Sequence, residues 1–166
     1  MDISQLAERY SAGTAERCKA IFSTIFIVGN RLQALFDRHI PGLTLRQFML
    51  LSIARQSPEP LTLTELGALL GCSRQNVKKL ALALERGGFA RLCRPESDGR
   101  ALTLEPTEKA EDYFANVFPR YVSELGALFS VYGEDETAQL FSLMMRLHEG
   151  LDRLEELIES ESEEAK

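Results

Sequence analysis

Between Thr62 and Glu85 the chain sets two helices around a glycine turn, and that spacing leaves little freedom in what can be built there. Thr62-Leu63-Thr64-Glu65 has the form of a capping box, in which a hydroxyl and a carboxylate three residues apart satisfy each other's free backbone donors. The helix it opens has room only to Leu70. Gly71 then permits a tight turn, and Ser73 supplies an N-cap for a second helix that ends at Gly87-Gly88. A short helix, a turn and a capped helix make a helix-turn-helix, whose second helix fits the major groove of DNA.

The second helix divides into two faces. Val77, Leu80, Ala81 and Leu84 recur at three-four spacing and are expected in the core. The complementary face presents Arg74, Gln75, Lys78 and Lys79. Arg and Gln near a helix N-terminus can make bidentate contacts with guanine and adenine edges. Ser73, Asn76 and the first-turn amides can hold phosphates. The competing reading is an ordinary solvated helix face. Against it, no acidic residue falls between Ser73 and Leu84, whereas a helix built for exposure usually alternates Glu with Lys.

Phe89 to Arg94 and Ala101 to Glu105 read as two strands joined by Pro95-Glu96-Ser97-Asp98-Gly99, a turn-forming run. Arg91, Arg94 and Arg100 bracket that turn. A basic hairpin tip beside a major-groove helix can reach the neighbouring minor groove, where arginine is favoured. The Asp98-Gly99-Arg100 spacing lets the carboxylate orient the guanidinium. The plainer reading is a surface ion pair of little energetic weight.

Helices fill the rest of the chain. The first ten residues suit a short amphipathic turn or two. Thr14 offers an N-cap for a helix to about Asp37, with Ile21, Ile25, Val28, Leu32, Leu35 and Phe36 on one stripe, and Pro41-Gly42 ends it. Thr44-Leu45-Arg46-Gln47 is another capping box, opening a helix that stops before Pro58. A helix from Pro106-Thr107 to about Ser130 contains Pro119, which predicts a kink or break. The last helix spans about Asp135 to Ile158, with Leu140, Leu143, Met144, Leu147, Leu151, Leu154 and Leu157 on one face, and the tail beyond Ser160 is expected to fray. The fold class is therefore mainly α with a small β-hairpin wing.

Net charge is −6 over 166 residues, which at first disfavours a nucleic-acid partner. Its distribution reverses that inference. Glu134 to Lys166 holds 11 acidic and 3 basic residues, whereas Leu61 to Glu105 holds 7 basic and 5 acidic. The acidity belongs to one end. Three cysteines, Cys18, Cys72 and Cys93, have no disulfide-framework spacing and form no zinc pattern with His39 and His148. No membrane-length apolar run and no leader pattern is seen, so the expectation is a cytoplasmic protein. No phosphate loop, nucleophile elbow or metal cluster points to an enzyme, a cofactor or a metal.

Five pieces in order, Leu43-Thr44-Leu45-Arg46-Gln47-Phe48, Leu61-Thr62-Leu63-Thr64-Glu65-Leu66, Ser73-Arg74-Gln75-Asn76-Val77, Leu84 to Phe89 and Asp98-Gly99-Arg100-Ala101, together resemble the MarR family of bacterial regulators. The resemblance runs from Leu43 to about Glu111. It implies a winged helix-turn-helix lobe over residues 43–106, dimerisation helices over 1–42 and 107–160, and a tail over 161–166. It also implies a homodimeric transcription regulator, expected to be a repressor, on a pseudo-palindromic double-stranded operator, with Arg100 as the wing-tip arginine and Asp98 its partner. Two departures stand out: Pro106-Thr107-Glu108-Lys109-Ala110 replaces the usual Leu-Thr-x-x-Gly, and Gly99 replaces a commonly basic residue.

Dimerisation has its own physical argument. The leucine stripe of the last helix and the apolar helix from Ile21 to Phe36 exceed what one small lobe can cover, so terminal helices are expected to pair across a two-fold axis. The alternative is that they cover each other within one chain. The resemblance also implies a small aromatic ligand, for which Phe22, Phe26, Phe36, Phe48, Tyr113, Phe114 and Phe118 are candidate lining residues; the alternative is that they are plain core. Cys18, between Arg17 and Lys19, invites a thiol-sensor reading. A winged-helix module that binds protein and not DNA is the remaining alternative.

Overall fold

The computed structural model describes residues 13–94 and 101–164. The expected N-terminal amphipathic turn, the hairpin turn with Asp98 and Arg100, and the last two residues of the tail lie outside them. The described residues fall into two compact units divided between Asn116 and Val117.

The first unit opens with α1, Thr14–His39. Its N-cap is Gly13, in extended backbone and with no side-chain cap bond, so Thr14 is the first helical residue and not the cap. Helix α2, Leu45–Gln56, and helix α3, Leu63–Leu70, both start in the reciprocal capping boxes that the sequence predicts, Thr44 with Gln47 and Thr62 with Glu65. Gly71 ends α3 at φ 61°, a left-handed conformation that a residue with a Cβ resists. Ser73 then caps α4, Arg74–Arg86, its hydroxyl accepting from the Asn76 amide at 3.3 Å.

Strands β1, Ala90–Cys93, and β2, Thr103–Pro106, pair antiparallel with Leu92 opposite Leu104. Each is shorter or shifted relative to the sequence pattern. The cause is non-local: β2 is bound on its far edge by the segment before α3, with Leu63 N–H donating to Leu102 O at 2.9 Å and Leu104 N–H to Leu61 O at 3.2 Å. That edge fixes β2 to start at Thr103, the one buried polar residue among the described core.

The core of this unit gathers Leu43, Phe48, Leu50, Leu51, Leu63, Leu66, Val77, Ala81, Leu84, Leu104, Ala110 and Phe114. It therefore draws on every element from α2 to the start of α5, Glu108–Phe129. Helix α5 crosses the division between the units and remains one α-helix with Pro119 inside it. No break occurs at Pro119. The ring removes one backbone donor, and the helix continues on either side.

The second unit holds the later part of α5 and then α6, Glu134–Glu164. Gly133 N–H donates to Glu136 Oε2 at 2.9 Å and closes the start of α6. At the other end the helix runs beyond Ile158, where the sequence led us to expect fraying. Glu is a good helix former, and Ser160 and Ser162 turn their hydroxyls back onto the Leu157 and Ile158 carbonyls at 2.8 and 2.7 Å. No helix among the described residues is long and apolar enough to cross a membrane.

Candidate nucleic-acid interface

The geometry of α4 begins with how closely α3 approaches it. Gly67 is buried in the middle of α3, and its carbonyl accepts from Cys72 N–H at 2.8 Å. A Cβ at Gly67 would stand 2.7 Å from the Cys72 carbonyl oxygen, closer than real contacts allow. The turn between the two helices is therefore tight because of two glycines, Gly67 as well as the Gly71 that turn chemistry predicts. A glycine inside an otherwise helical apolar pattern was the available signal. Cys72 is a half-buried member of that turn, its thiol directed at the Leu70 carbonyl at 3.5 Å.

Helix α4 shows the two faces that its spacing predicts. Val77, Ala81 and Leu84 are fully buried and anchor the helix to the core. Leu80 is only half-buried, because it lies at the margin of that stripe. Ser73, Arg74, Gln75, Asn76, Lys78 and Lys79 are all exposed. Among the described residues, none of Arg74, Lys78 and Lys79 has a carboxylate partner, whereas Lys19, Arg55 and Arg120 each have one. The outer face of α4 is thus a run of unpaired donors and cations.

The far end of α4 is held from two directions. Lys109, in the first turn of α5, donates to the Gly87 carbonyl at 2.7 Å and lies over the Phe89 ring at 4.6 Å. Thr107 donates its hydroxyl to the Gly88 carbonyl at 2.7 Å. Cations and donors at a helix C-terminus satisfy its free carbonyls. The sequence departure after the wing, Thr107-Glu108-Lys109-Ala110, is therefore where α5 grips the end of α4. On the opposite side Glu85 Oε1 accepts from the Leu92 amide of β1 at 2.9 Å.

Arg94 stands exposed one residue beyond β1. Asp98 and Arg100, the other wing positions, lie outside the described residues. Cys93, at the end of β1, has its thiol pushed up from its ordinary value by burial, then by a hydrogen bond to Glu105 and the nearby carboxylate charges. It is a protonated thiol at neutral pH. Cys18 is exposed on α1.

The seven aromatic candidates separate into two groups. Phe36, Phe48 and Phe114 stack in sequence, with ring centroids 5.0 and 5.2 Å apart. Tyr113 joins through Phe114 at 6.0 Å and through Phe89, which the sequence did not nominate, at 5.4 Å. Burial pushes the Tyr113 hydroxyl up from its ordinary value, and it donates to the Pro41 carbonyl at 3.0 Å. Arg55 caps the cluster, 5.1 Å over the Phe114 ring and 2.7 Å from Glu111. Phe22, Phe26 and Phe118 are exposed, Phe22 by 78%.

Known proteins place this architecture. The MarR family's model matches residues 42–101. Transcriptional repressor MprA of Escherichia coli is 30% identical over 107 residues, covering 64% of this chain and 61% of that protein. The chain thus matches less than two thirds of the length of the curated relatives. Among solved structures, Sco3205, a MarR family transcriptional regulator from Streptomyces coelicolor in complex with DNA, superposes with a TM-score of 0.73 at 23% identity over 84% of this chain and 89% of that one. The PcaV transcriptional regulator of the same organism, in complex with its natural ligand, superposes with a TM-score of 0.64 at 22% identity over 74% of this chain and 89% of that one. These likenesses show a shared winged-helix fold. Residues 42–101 are thus similar to the MarR family's segment, within a chain that has the winged-helix fold around it.

Proposed function

We propose that the chain is a sequence-specific transcription regulator that binds double-stranded DNA as a homodimer. The observation that carries this reading is the outer face of α4: exposed Arg74, Gln75, Lys78 and Lys79, free of carboxylates, on a helix whose inner face buries Val77, Ala81 and Leu84. Arg74 and Gln75 read base edges in the major groove, and Ser73, Asn76, Lys78 and Lys79 hold phosphates. Arg94, with Arg100 oriented by Asp98, reaches the flanking groove from the wing. Residues 43–106 form this lobe, and 1–42 with 107–160 form the region that joins two copies.

A homodimer presents two α4 helices, and its operator is a pseudo-palindrome with half-sites one turn of DNA apart. Repression is the mode favoured by the similarity to MprA, itself a transcriptional repressor. Response to a small aromatic molecule is supported by the cluster of tilted and edge-on rings of Phe36, Phe48, Phe114 and Tyr113, and by a structural relative that holds its natural ligand.

Selection of duplexes from a random-sequence library, followed by salt titration on the enriched duplex, tests the reading. We expect enrichment of an inverted repeat and an affinity that falls steeply with salt. Lys79→Ala should weaken all duplexes about equally and reduce the log–log salt slope by about one. Arg74→Ala and Gln75→Ala should instead relax preference at particular base positions. No enrichment, or binding indifferent to salt, overturns the reading in favour of a protein-interaction module.

A further inference from the structure

The wing strand β1 has an open edge, and the way it is closed assigns a role to Glu85. In an antiparallel pair, successive N–H groups alternate between the two edges of a strand. Leu104 sends its N–H away from β1, to Leu61 O at 3.2 Å. Leu92 faces Leu104 in register, so its own N–H points away from β2. No acceptor on β2 can reach that donor, and Glu85 Oε1 accepts it at 2.9 Å.

Glu85 is otherwise badly placed. It is the first carboxylate after the acid-free run from Ser73 to Leu84. It sits in the last turn of α4, where a negative charge opposes the helix macrodipole. On the DNA-binding reading it also stands on the element closest to phosphates, which repel it. Both effects are unfavourable, and the bond to Leu92 is what the position gains. The α5 side of the junction is already fixed, through Lys109 to Gly87 O and Thr107 to Gly88 O. The Glu85 bond is the tie on the strand side.

We propose that Glu85 is a positioning residue that sets the angle of the wing to α4, and so the place of Arg94 relative to Arg74 and Gln75. The proposal rests on the DNA-binding reading and deepens it. Glu85 touches no DNA. It acts through β1, whose last residue Cys93 directly precedes Arg94.

The test compares variants that separate charge from reach, using a duplex enriched by the wild-type protein from a random-sequence library. Glu85→Gln and Glu85→Ala remove the same negative charge, but only the glutamine keeps an oxygen that can accept from Leu92. If the charge alone matters, both bind DNA more tightly, and equally. If the tie matters, E85A binds about fivefold more weakly than E85Q, the worth of one ordinary hydrogen bond. In an Arg94→Ala background that ratio should fall to below about twofold, because the group being positioned is gone.

Glu85→Asp keeps the charge and falls one methylene short. It should bind about threefold more weakly than wild type, and it serves if E85A does not fold. Equal affinity of E85A and E85Q, a ratio that persists without Arg94, or an E85D protein that binds like wild type each overturns the proposal. If the wild-type protein enriches no duplex at all, the DNA-binding reading fails first, and that outcome is distinct from a wild type that binds with an E85A to E85Q ratio of one.

Discussion

Two regions of this chain, the stretch from Ile40 to Val117 and the helix α6, treat apolar surface in opposite ways. From Ile40 to Val117 most large apolar residues pack inward: Leu50, Leu51, Leu66, Val77, Ala81, Leu84 and Ala110 show no exposure, and Met49, Leu69 and Leu82 are the exposed ones. Beyond Val117 no described residue is buried, although α6 carries Phe141, Leu143, Met144, Met145, Leu147, Leu151, Leu154, Leu157 and Ile158. These are exposed by 39% to 65%. A helix stripe of this length left in water would be out of keeping with a monomer, whose surface rarely carries large continuous apolar patches. Helix α6 also has little intrinsic reason to persist, since most helical stability comes from packing an apolar face. The first unit has a core of its own in the stretch after α1, while α1 carries exposed apolar residues such as Phe22 and Phe26. The second unit has no such core: its apolar side chains lie along exposed helix faces.

The largest effect should come from charging that surface. Leu151→Asp with Leu154→Asp places two carboxylates where a partner's apolar side chains would sit, and an unpaired buried charge is strongly unfavourable. We expect light scattering at micromolar concentration to report twice the chain mass for the wild type and the single mass for the double variant. DNA affinity should collapse with it, because two reading helices are no longer held together. A wild type that is monomeric at that concentration breaks the comparison outright.

A core truncation in the first unit should behave differently. Leu84→Ala removes a fully buried side chain from α4 and should cost about 2–5 kcal/mol in chemical denaturation, by lost transfer energy and the cavity left behind. The loss should be the same at low and high protein concentration if the first unit is folded by its own core. For Leu154→Ala the measured stability should instead depend on concentration, as assembly-linked folding does. Concentration dependence of the same size in both variants would show that the first unit also leans on the partner.

What could be read from the sequence follows the same division. Elements fixed by neighbours along the chain were legible: both capping boxes, the Ser73 cap, the Gly71 turn and the Val77, Ala81, Leu84 stripe all stand where their spacing put them. Features fixed across space were not. The start of β2 depends on Leu61 and Leu63 some forty residues earlier. The need for glycine at position 67 depends on where the Cys72 carbonyl comes to rest. Phe22, Phe26 and Phe118 looked as suitable for an aromatic wall as Phe36 and Phe48, because composition does not tell an aromatic ring in a core from one on an uncovered face. The cap of α1 differs for a smaller reason, since Gly13 and Thr14 are adjacent and Thr and Gly serve about equally well at that position.

The smallest effect compares the two capping boxes themselves, which differ in one atom type. In α2 the backbone N–H of Thr44 donates to Gln47 Oε1, and in α3 that of Thr62 donates to Glu65 Oε2, both at 2.8 Å. Gln47 cannot titrate, whereas Glu65 can. Its carboxyl is held below its ordinary value first by the Thr62 backbone N–H and then by the Thr62 hydroxyl, slightly opposed by desolvation. A carboxylate held low in the folded state stabilises the protein at pH above the unfolded Glu value. That stabilisation disappears as the pH falls through the lower folded value. Glu65→Gln makes the α3 box chemically like the α2 box. Denaturation midpoints measured from neutral pH downwards should therefore show wild type more stable than E65Q at neutral pH, with the gap closing as the acid limb is crossed. Because Glu65 is exposed, the gap should be small and should shrink further in high salt. A gap that stays constant across the acid limb would mean that the α3 box works through its hydrogen-bond geometry alone, as the α2 box does with an uncharged amide.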